Sequence, residues 1–398
     1  MLSDDTLRDT SPMQMPTPDH RPRPRILCVV GARPNFMKMA PIMAALSEYA
    51  PELDARLVHT GQHYDKSMNH QYFDALGIPA PDINLEVGSG SHAAQTADVM
   101  RRFEPALDEI RPSAVLVVGD INSTLACALV AAKKSIPVIH VEAGLRSFDR
   151  SMPEEINRIL TDQLSDLLFT TERHCRDNLL REGIAETRIH FAGNVMIDTL
   201  HRNLQRAVPV ADILRHAGRK DFPADRGGFA VVTMHRPSNV DDPHILGRLL
   251  DTIAQAAHRL PVIFTIHPRT RSMIDKFGLR RKLDVPRLLA LPPMGYLEML
   301  GLMKDARVVL SDSGGIQEET TALGVPCITL RNNTERPVTV DEGTNILAGQ
   351  DPERILALLD ETLRTGGKVG RIPEFWDGKT SVRIAQTIRS WAGKGFPR

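Results

Sequence analysis

The chain has 398 residues, 42% of them hydrophobic and 25% charged, and its 49 lysines and arginines equal its 49 aspartates and glutamates. That length buries two ordinary cores, and the even charge argues against a dedicated nucleic-acid surface. Nowhere does an apolar run approach the ~20 residues of a membrane span. The four cysteines, Cys28, Cys127, Cys175 and Cys327, have no paired spacing. Neither disulfides nor a metal site is expected, and the cytoplasm is the natural compartment.

Residues 1–23 are polar and proline-rich, without the apolar stretch of a signal peptide, and read as a disordered tail. From there short β-branched runs alternate with amphipathic stretches. "RILCVVG" leads into "NFMKMAPIMAALSEY", "SAVLVVGD" into "NSTLACALVAAKKS", "IPVIHVEAG" into "PEEINRILTDQLSD", and "LLFTTE" into "RHCRDNLLREG", with "ARLVHTG" before a polar turn. Such alternation predicts a parallel sheet covered on both faces.

A second series, "GFAVVTMHR", "LPVIFTIHP", "PRLLALPP", "ARVVLSDSGG" and "VPCITLRNN", follows a charged, glycine-rich segment near residues 200–225. We therefore predict α/β architecture, with Rossmann-like doubly wound domains at 24–200 and 201–379. The helical stretch 380–396 either caps the second domain or returns to the first. In such sheets ligands sit beyond the carboxyl ends of the strands, at switch points and in the interdomain cleft.

Polar residues gather at that address. "VVGARPNFMK" puts Gly31, Arg33 and Lys38 in a strand-to-helix turn, either as diphosphate cations or as solvated loop residues. In "VVLSDSGGIQEET" a strand ends at Asp312, and Ser313, Gly314 and Gly315 open a helix whose bare N–H groups form an anion site. Glu318 and Glu319 follow, as ribose ligands or as partners of the helix dipole. Further strands end in Asp120, in His140 and Glu142, and in His235. Glu154 and Arg158 are spaced four apart to pair on one helix face. Two neighbouring strands ending in carboxylates suit acid/base work, because a buried acid is costly unless paired or used. The segment His140–Asp162, which also carries Arg146, Asp149 and Glu155, either decorates a surface or lines a pocket. Metal-ligand spacings, a Walker loop, a nucleophile elbow and the full dinucleotide glycine pattern are all missing.

In this order the blocks "GARPNFMKMAP", "TGQHYD", "GDINSTLA", "HVEAGLRSFDRSMPEEINRILTD", "GNVMIDTL", "MHRPSNV", "SDSGGIQEE" and "TERP" resemble the non-hydrolysing UDP-N-acetylglucosamine 2-epimerases over residues 25–390. The resemblance implies the two-Rossmann GT-B fold, with the last helix crossing back to the first domain. It implies interconversion of UDP-N-acetylglucosamine and UDP-N-acetylmannosamine without NAD or metal, through loss and re-addition of UDP by way of a 2-acetamidoglucal. By resemblance the acid/base candidates are Asp120, Glu142 and Glu154, with Arg158 positioning Glu154 and His235 serving the leaving diphosphate. Arg33 and Lys38 match the family's phosphate and active-site cations, Ser313, Gly314 and Gly315 its diphosphate turn, Glu319 its ribose ligand and Arg336 a further substrate-binding arginine. A homodimer and a role in supplying polysaccharide precursors are likewise implied.

Two positions depart from the family pattern. Met299 stands where many members place a phenylalanine near the uracil, and methionine still fills an apolar slot. Tyr64 in Gln62-His63-Tyr64 replaces an arginine of a region that forms an allosteric substrate site in some members. The competing readings are the same chemistry on UDP-2,3-diacetamido-2,3-dideoxy-glucuronic acid, a GT-B glycosyltransferase and a non-catalytic nucleotide-sugar sensor.

Overall fold

Residues 23–61, 79–224 and 228–397 are described by the computed structural model. The tail through residue 22, with Gln62, His63 and Tyr64, lies outside them. The chain folds into two wholly parallel sheets. The first holds β1 (Arg25–Val30), β2 (Asp54–His59), β3 (Ile83–Asn84), β4 (Ala114–Val118), β5 (Val138–Ala143), β6 (Leu167–Thr170) and β7 (Ile189–Phe191). Their order is β3-β2-β1-β4-β5-β6-β7. The second holds β8 (Ala230–Thr233), β9 (Val262–Thr265), β10 (Leu288–Leu291), β11 (Val308–Ser311), β12 (Cys327–Thr329) and β13 (Asn345–Leu347), ordered β10-β9-β8-β11-β12-β13. Both are doubly wound, so the predicted α/β class holds.

The central strands β4 and β5 are buried at every residue, because helices cover both faces of a parallel sheet. On one face of the first sheet Ile26, Cys28 and Val30 pack with Met39, Ile42 and Leu46 of the helix Arg33–Tyr49. On the other, Leu27, Val29 and Val117 meet Val99, Phe103 and Leu107 of the helix His92–Ile110. The second sheet is sandwiched in the same way.

The last helix, Thr380–Gly393, belongs to the first of these cores through Ile384, Ala385, Ile388 and Trp391. Asp198, buried in the helix Val195–Asn203, accepts Thr380 N at 3.0 Å and Ser381 N at 2.6 Å. It thereby satisfies two of the bare donors at that helix's start. Trp376, just before it, is buried and donates Nε1 to the Thr171 carbonyl at 3.3 Å.

Strand order reverses between β1 and β4 in one sheet and between β8 and β11 in the other. The loops after these four strands carry Gly31, Asp120, His235 and Asp312, so both switch points open toward one cleft.

Candidate active site

A cleft of about 490 Å³ is lined from both sheets by Lys38, Asp120, Glu154, Arg158, His235, Met299, Ser313, Gly314, Gly315, Glu319 and Arg336, among other residues. All of these were singled out in the sequence. Glu142 lies directly behind the lining: Lys38 Nζ reaches its Oε2 at 2.5 Å, and Arg336 Nη2 stands 3.5 Å from the same oxygen. Arg33 begins the first helix, but its side chain lies outside the described residues.

Glu142 sits at φ +73, in the left-handed region. There the β5–β6 register slips between Val141 and Ala143. A bulge re-aims the side chain at its position, and a non-glycine residue held there costs on the order of 1–3 kcal/mol, the kind of strain found at functional sites. Its Oε1 is buried without a hydrogen-bond partner among the described residues.

Asp120 follows Gly119 at the end of β4. Arg158 Nη2 donates to its Oδ2 at 2.6 Å, and Asn157 Nδ2 to its carbonyl at 2.9 Å. Burial opposes its charge, but Arg158, Lys38 and Arg336 outweigh it and hold the carboxyl below its ordinary range. Asp120 is thus held as a carboxylate.

The expected Glu154–Arg158 pair does not form. Arg158 turns instead to Asp120 and, at 2.8 Å, to Glu155. Glu155 is pinned by Ser147 N and Phe148 N, each at 2.9 Å. The helix Pro153–Leu164 presents Glu154 to the cleft and turns Glu155 inward, so the i,i+3 neighbour wins over the i,i+4 one.

From the second sheet, Asp312 is fully buried and accepts His235 N and Arg236 N, both at 2.9 Å on Oδ2. Its Oδ1 lies 3.2 Å from His235 Nδ1. This contact fixes the ring and leaves Nε2 for the cleft. The helix Gly314–Leu323 starts without a side-chain cap, which leaves its first N–H groups open to an anion. A Cβ at Gly314 would stand 2.8 Å from Glu335 Oε1, whereas at Gly315 it would meet nothing within 4 Å. A side chain at the first glycine would thus displace the Glu335 carboxylate, and the second lies against open space at the helix start. Met299, with Met294 and Ile316, forms an apolar wall.

Glu318 lines the cleft but is already paired. Arg336 Nε meets its Oε1 at 2.5 Å and Asn194 Nδ2 donates to that oxygen at 2.8 Å. Asn194 also caps the helix Val195–Asn203 through Met196 N at 2.9 Å. Asn194, Asp312 and Glu155 were the contributors that sequence reasoning did not assign. The runs "GNVMIDTL", "SDSGG" and "PEE" contain them, but nothing in the sequence pairs them with distant partners.

Glu172, His174 and Cys175 bring ligand-type atoms within 4.8 Å of one another, yet none lines the cleft. No helix among the described residues is long and apolar enough to cross a membrane.

Several buried carboxyls are displaced upward. Burial pushes Glu319 up to about 8, with the Tyr296 hydroxyl opposing and Glu318 adding to the shift. Burial also pushes Glu172 up to about 8 against the pull of Arg336, and it raises Glu318. Such groups hold their protons more tightly folded than unfolded. Their stabilisation is complete below the ordinary value of 4.5 and is lost as pH rises through about 8. The melting temperature of the unliganded chain is therefore expected to fall as pH is raised from about 5 to about 9, and Glu319→Gln should flatten that slope. An unaltered calorimetric slope in the variant would reject this account.

Two doubly wound sheets facing one cleft, with an open helix start on one side and paired carboxylates on the other, define a GT-B-type architecture suited to nucleotide-linked sugars. The UDP-N-acetylglucosamine 2-epimerase family model matches residues 45–389, and the chain belongs to that family of isomerases. A curated UDP-N-acetylglucosamine 2-epimerase of Methanococcus maripaludis is 42% identical over 92% of this chain and 98% of its own length. The crystal structure of the Methanocaldococcus jannaschii UDP-GlcNAc 2-epimerase in complex with UDP-GlcNAc and UDP superposes with a TM-score of 0.82 at 40% identity, covering 92% of this chain and 99% of that one. A UDP-2,3-diacetamido-2,3-dideoxy-D-glucuronate 2-epimerase of Pseudomonas aeruginosa is 39% identical over 92% of this chain and 99% of its own length.

Proposed function

We propose that this chain interconverts UDP-N-acetylglucosamine and UDP-N-acetylmannosamine by elimination and re-addition of UDP. A carboxylate takes the carbon 2 proton, and that C–H pair becomes the C1=C2 double bond. The C1–O bond breaks with its electrons going to the diphosphate. UDP then returns to carbon 1 while a second acid protonates carbon 2 from the other face. The observation that carries this reading is the convergence on one cleft of an ionised Asp120 in its lining, a lysine-bound Glu142 directly behind it, and an open helix start.

Each side chain has a part to play. Asp120, Glu142 and Glu154 are the proton-handling set. His235, oriented by Asp312, donates to the departing diphosphate, and Ser313, Gly314 and Gly315 with Lys38 and Arg336 hold it so that re-addition outruns escape. Glu319 receives the ribose hydroxyls, and the wall around Met299 takes the uracil.

Proton NMR of the protein with UDP-N-acetylglucosamine in deuterated water tests this directly. Deuterium entering carbon 2 together with new UDP-N-acetylmannosamine is the expected result. Release of free sugar and UDP would instead mean hydrolysis. A specific observation keeps the diacetamido-uronate substrate in view: Arg236 lines the cleft with its Nε buried and without a hydrogen-bond partner among the described residues, a spare donor for a sugar carboxylate. If the spectrum does not change, that sugar becomes the better assignment.

A further inference from the structure

Behind the two central acids lies an ionic cluster that the chemistry above leaves unused. His140, on β5 and fully buried, places Nδ1 2.7 Å from Asp162 Oδ1 and Nε2 2.9 Å from the Gly119 carbonyl. A carbonyl only accepts. Asp162, for its part, already receives Arg146 Nη2 at 2.7 Å and Gly144 N at 3.0 Å on its other oxygen, as a carboxylate does. Both ring nitrogens thus lie against oxygens, and the ring bridges the Gly119 carbonyl to Asp162. Arg146 continues to Glu182 through Nε at 2.8 Å and Nη2 at 2.5 Å. Arg146 thus bridges two carboxylates, where an uncompensated buried charge would cost several kcal/mol.

The cluster grips the chain beside both acids. Gly119, at φ +71, immediately precedes Asp120, and Gly144, at φ +78, comes two residues after Glu142. A Cβ at Gly119 would lie 3.3 Å from Lys38 Nζ and 3.6 Å from Glu142 Oε2, so this turn rests on the Lys38–Glu142 pair. Gly144 is further fixed by its carbonyl, which accepts Asn178 Nδ2 at 2.9 Å. Neither His140 nor Asp162 lines the cleft.

We propose that His140 and Asp162 are a positioning pair that sets the separation of the Asp120 and Glu142 carboxylates, with Arg146 and Glu182 balancing its charge. The proposal rests on the reading that those two acids handle the carbon 2 proton. Through the Gly119 carbonyl and the Gly144 amide, one fully buried aspartate couples the two turns. A shift of either acid by a fraction of an ångström is costly for proton transfer, while the diphosphate site on the second sheet is untouched.

Two measurements on the full chain test it. In protein labelled with 15N-histidine, one imidazole should keep a ring N–H proton shielded from exchange, and His140→Gln should remove that signal. In kinetics, Asp162→Asn should lower kcat about tenfold to a hundredfold while KM and the UDP affinity stay within about twofold. His140→Gln, which retains one donor, should lose less than His140→Ala. If Asp162→Asn does not fold, Glu182→Gln at the partly exposed end of the cluster should show a smaller loss in kcat alone. The lack of a shielded imidazole N–H overturns the proposal, as does unchanged kcat in a folded variant. A parallel loss of UDP affinity also overturns it, since it signals general disruption. A wild type inert toward UDP-sugars overturns it by way of the epimerase reading, and the imidazole signals then tell which of the two failed.

Discussion

Asp120→Asn is expected to lower epimerisation by about 10²–10⁴-fold, the range for removing a positioned general base, with UDP affinity unchanged to within about threefold. Asparagine preserves the shape, and Arg158 keeps its 2.8 Å bond to Glu155, so the helix Pro153–Leu164 stays in place. The amide cannot take a proton. Exchange at carbon 2, followed by NMR in deuterated water from each epimer separately, gives the sharper reading. A variant that still exchanges the proton of one epimer but not the other would assign Asp120 to a single face of the sugar. Glu142→Gln in the same assay would assign the opposite face. Turnover near that of the wild type in either variant would remove that residue from the acid/base set.

Arg336→Met carries the largest expected effect on stability. The guanidinium is buried among Glu318 at 2.5 Å, Glu142 at 3.5 Å and the nearby Glu172. Methionine fills much of the same space but takes the guanidinium from Glu318 and leaves Glu142 with Lys38 alone, and breaking one side of a buried ion pair costs about 3–5 kcal/mol. Urea unfolding followed by circular dichroism should register that loss at neutral pH. Part of it should return in acid, because the orphaned carboxyls then take up protons. Glu318→Gln in the same chain should also restore part, since the removed charge no longer needs a partner. A loss under about 1 kcal/mol would mean that the cluster is better solvated than its burial implies.

How much of this could be read from the sequence differs by element. Strands β1, β4, β5, β8 and β11 stood out because a strand buried on both faces must be a continuous apolar run, and their ends delivered most of the cleft lining by number. The strands missed were β3, β7 and β13, of two, three and three residues. All three stand at a sheet edge, where a strand can be too short to leave a periodic signature. Within the site, residue types were legible but pairings were not. "PEEINR" predicts an i,i+4 bond from Glu154 to Arg158. The fold overrides it, since Asp120 arrives from another strand and Glu155 is turned inward to hold Ser147 and Phe148. The left-handed backbone of Glu142 was equally hidden, because glycine is the usual mark of that conformation and the sequence there reads as plain strand.

The return of the Thr380–Gly393 helix to the first core bears on how the chain is made. β1 and the helix behind it leave the ribosome before the second sheet, yet the surface offered by Ile26, Met39 and Ile42 receives Ile384, Ile388 and Trp391 only after that sheet has been made. The half that emerges first must wait with an apolar face uncovered while the half that emerges second can close on its own. In vivo maturation should then run in the reverse of the order of translation, with the nascent first sheet the segment most in need of a chaperone.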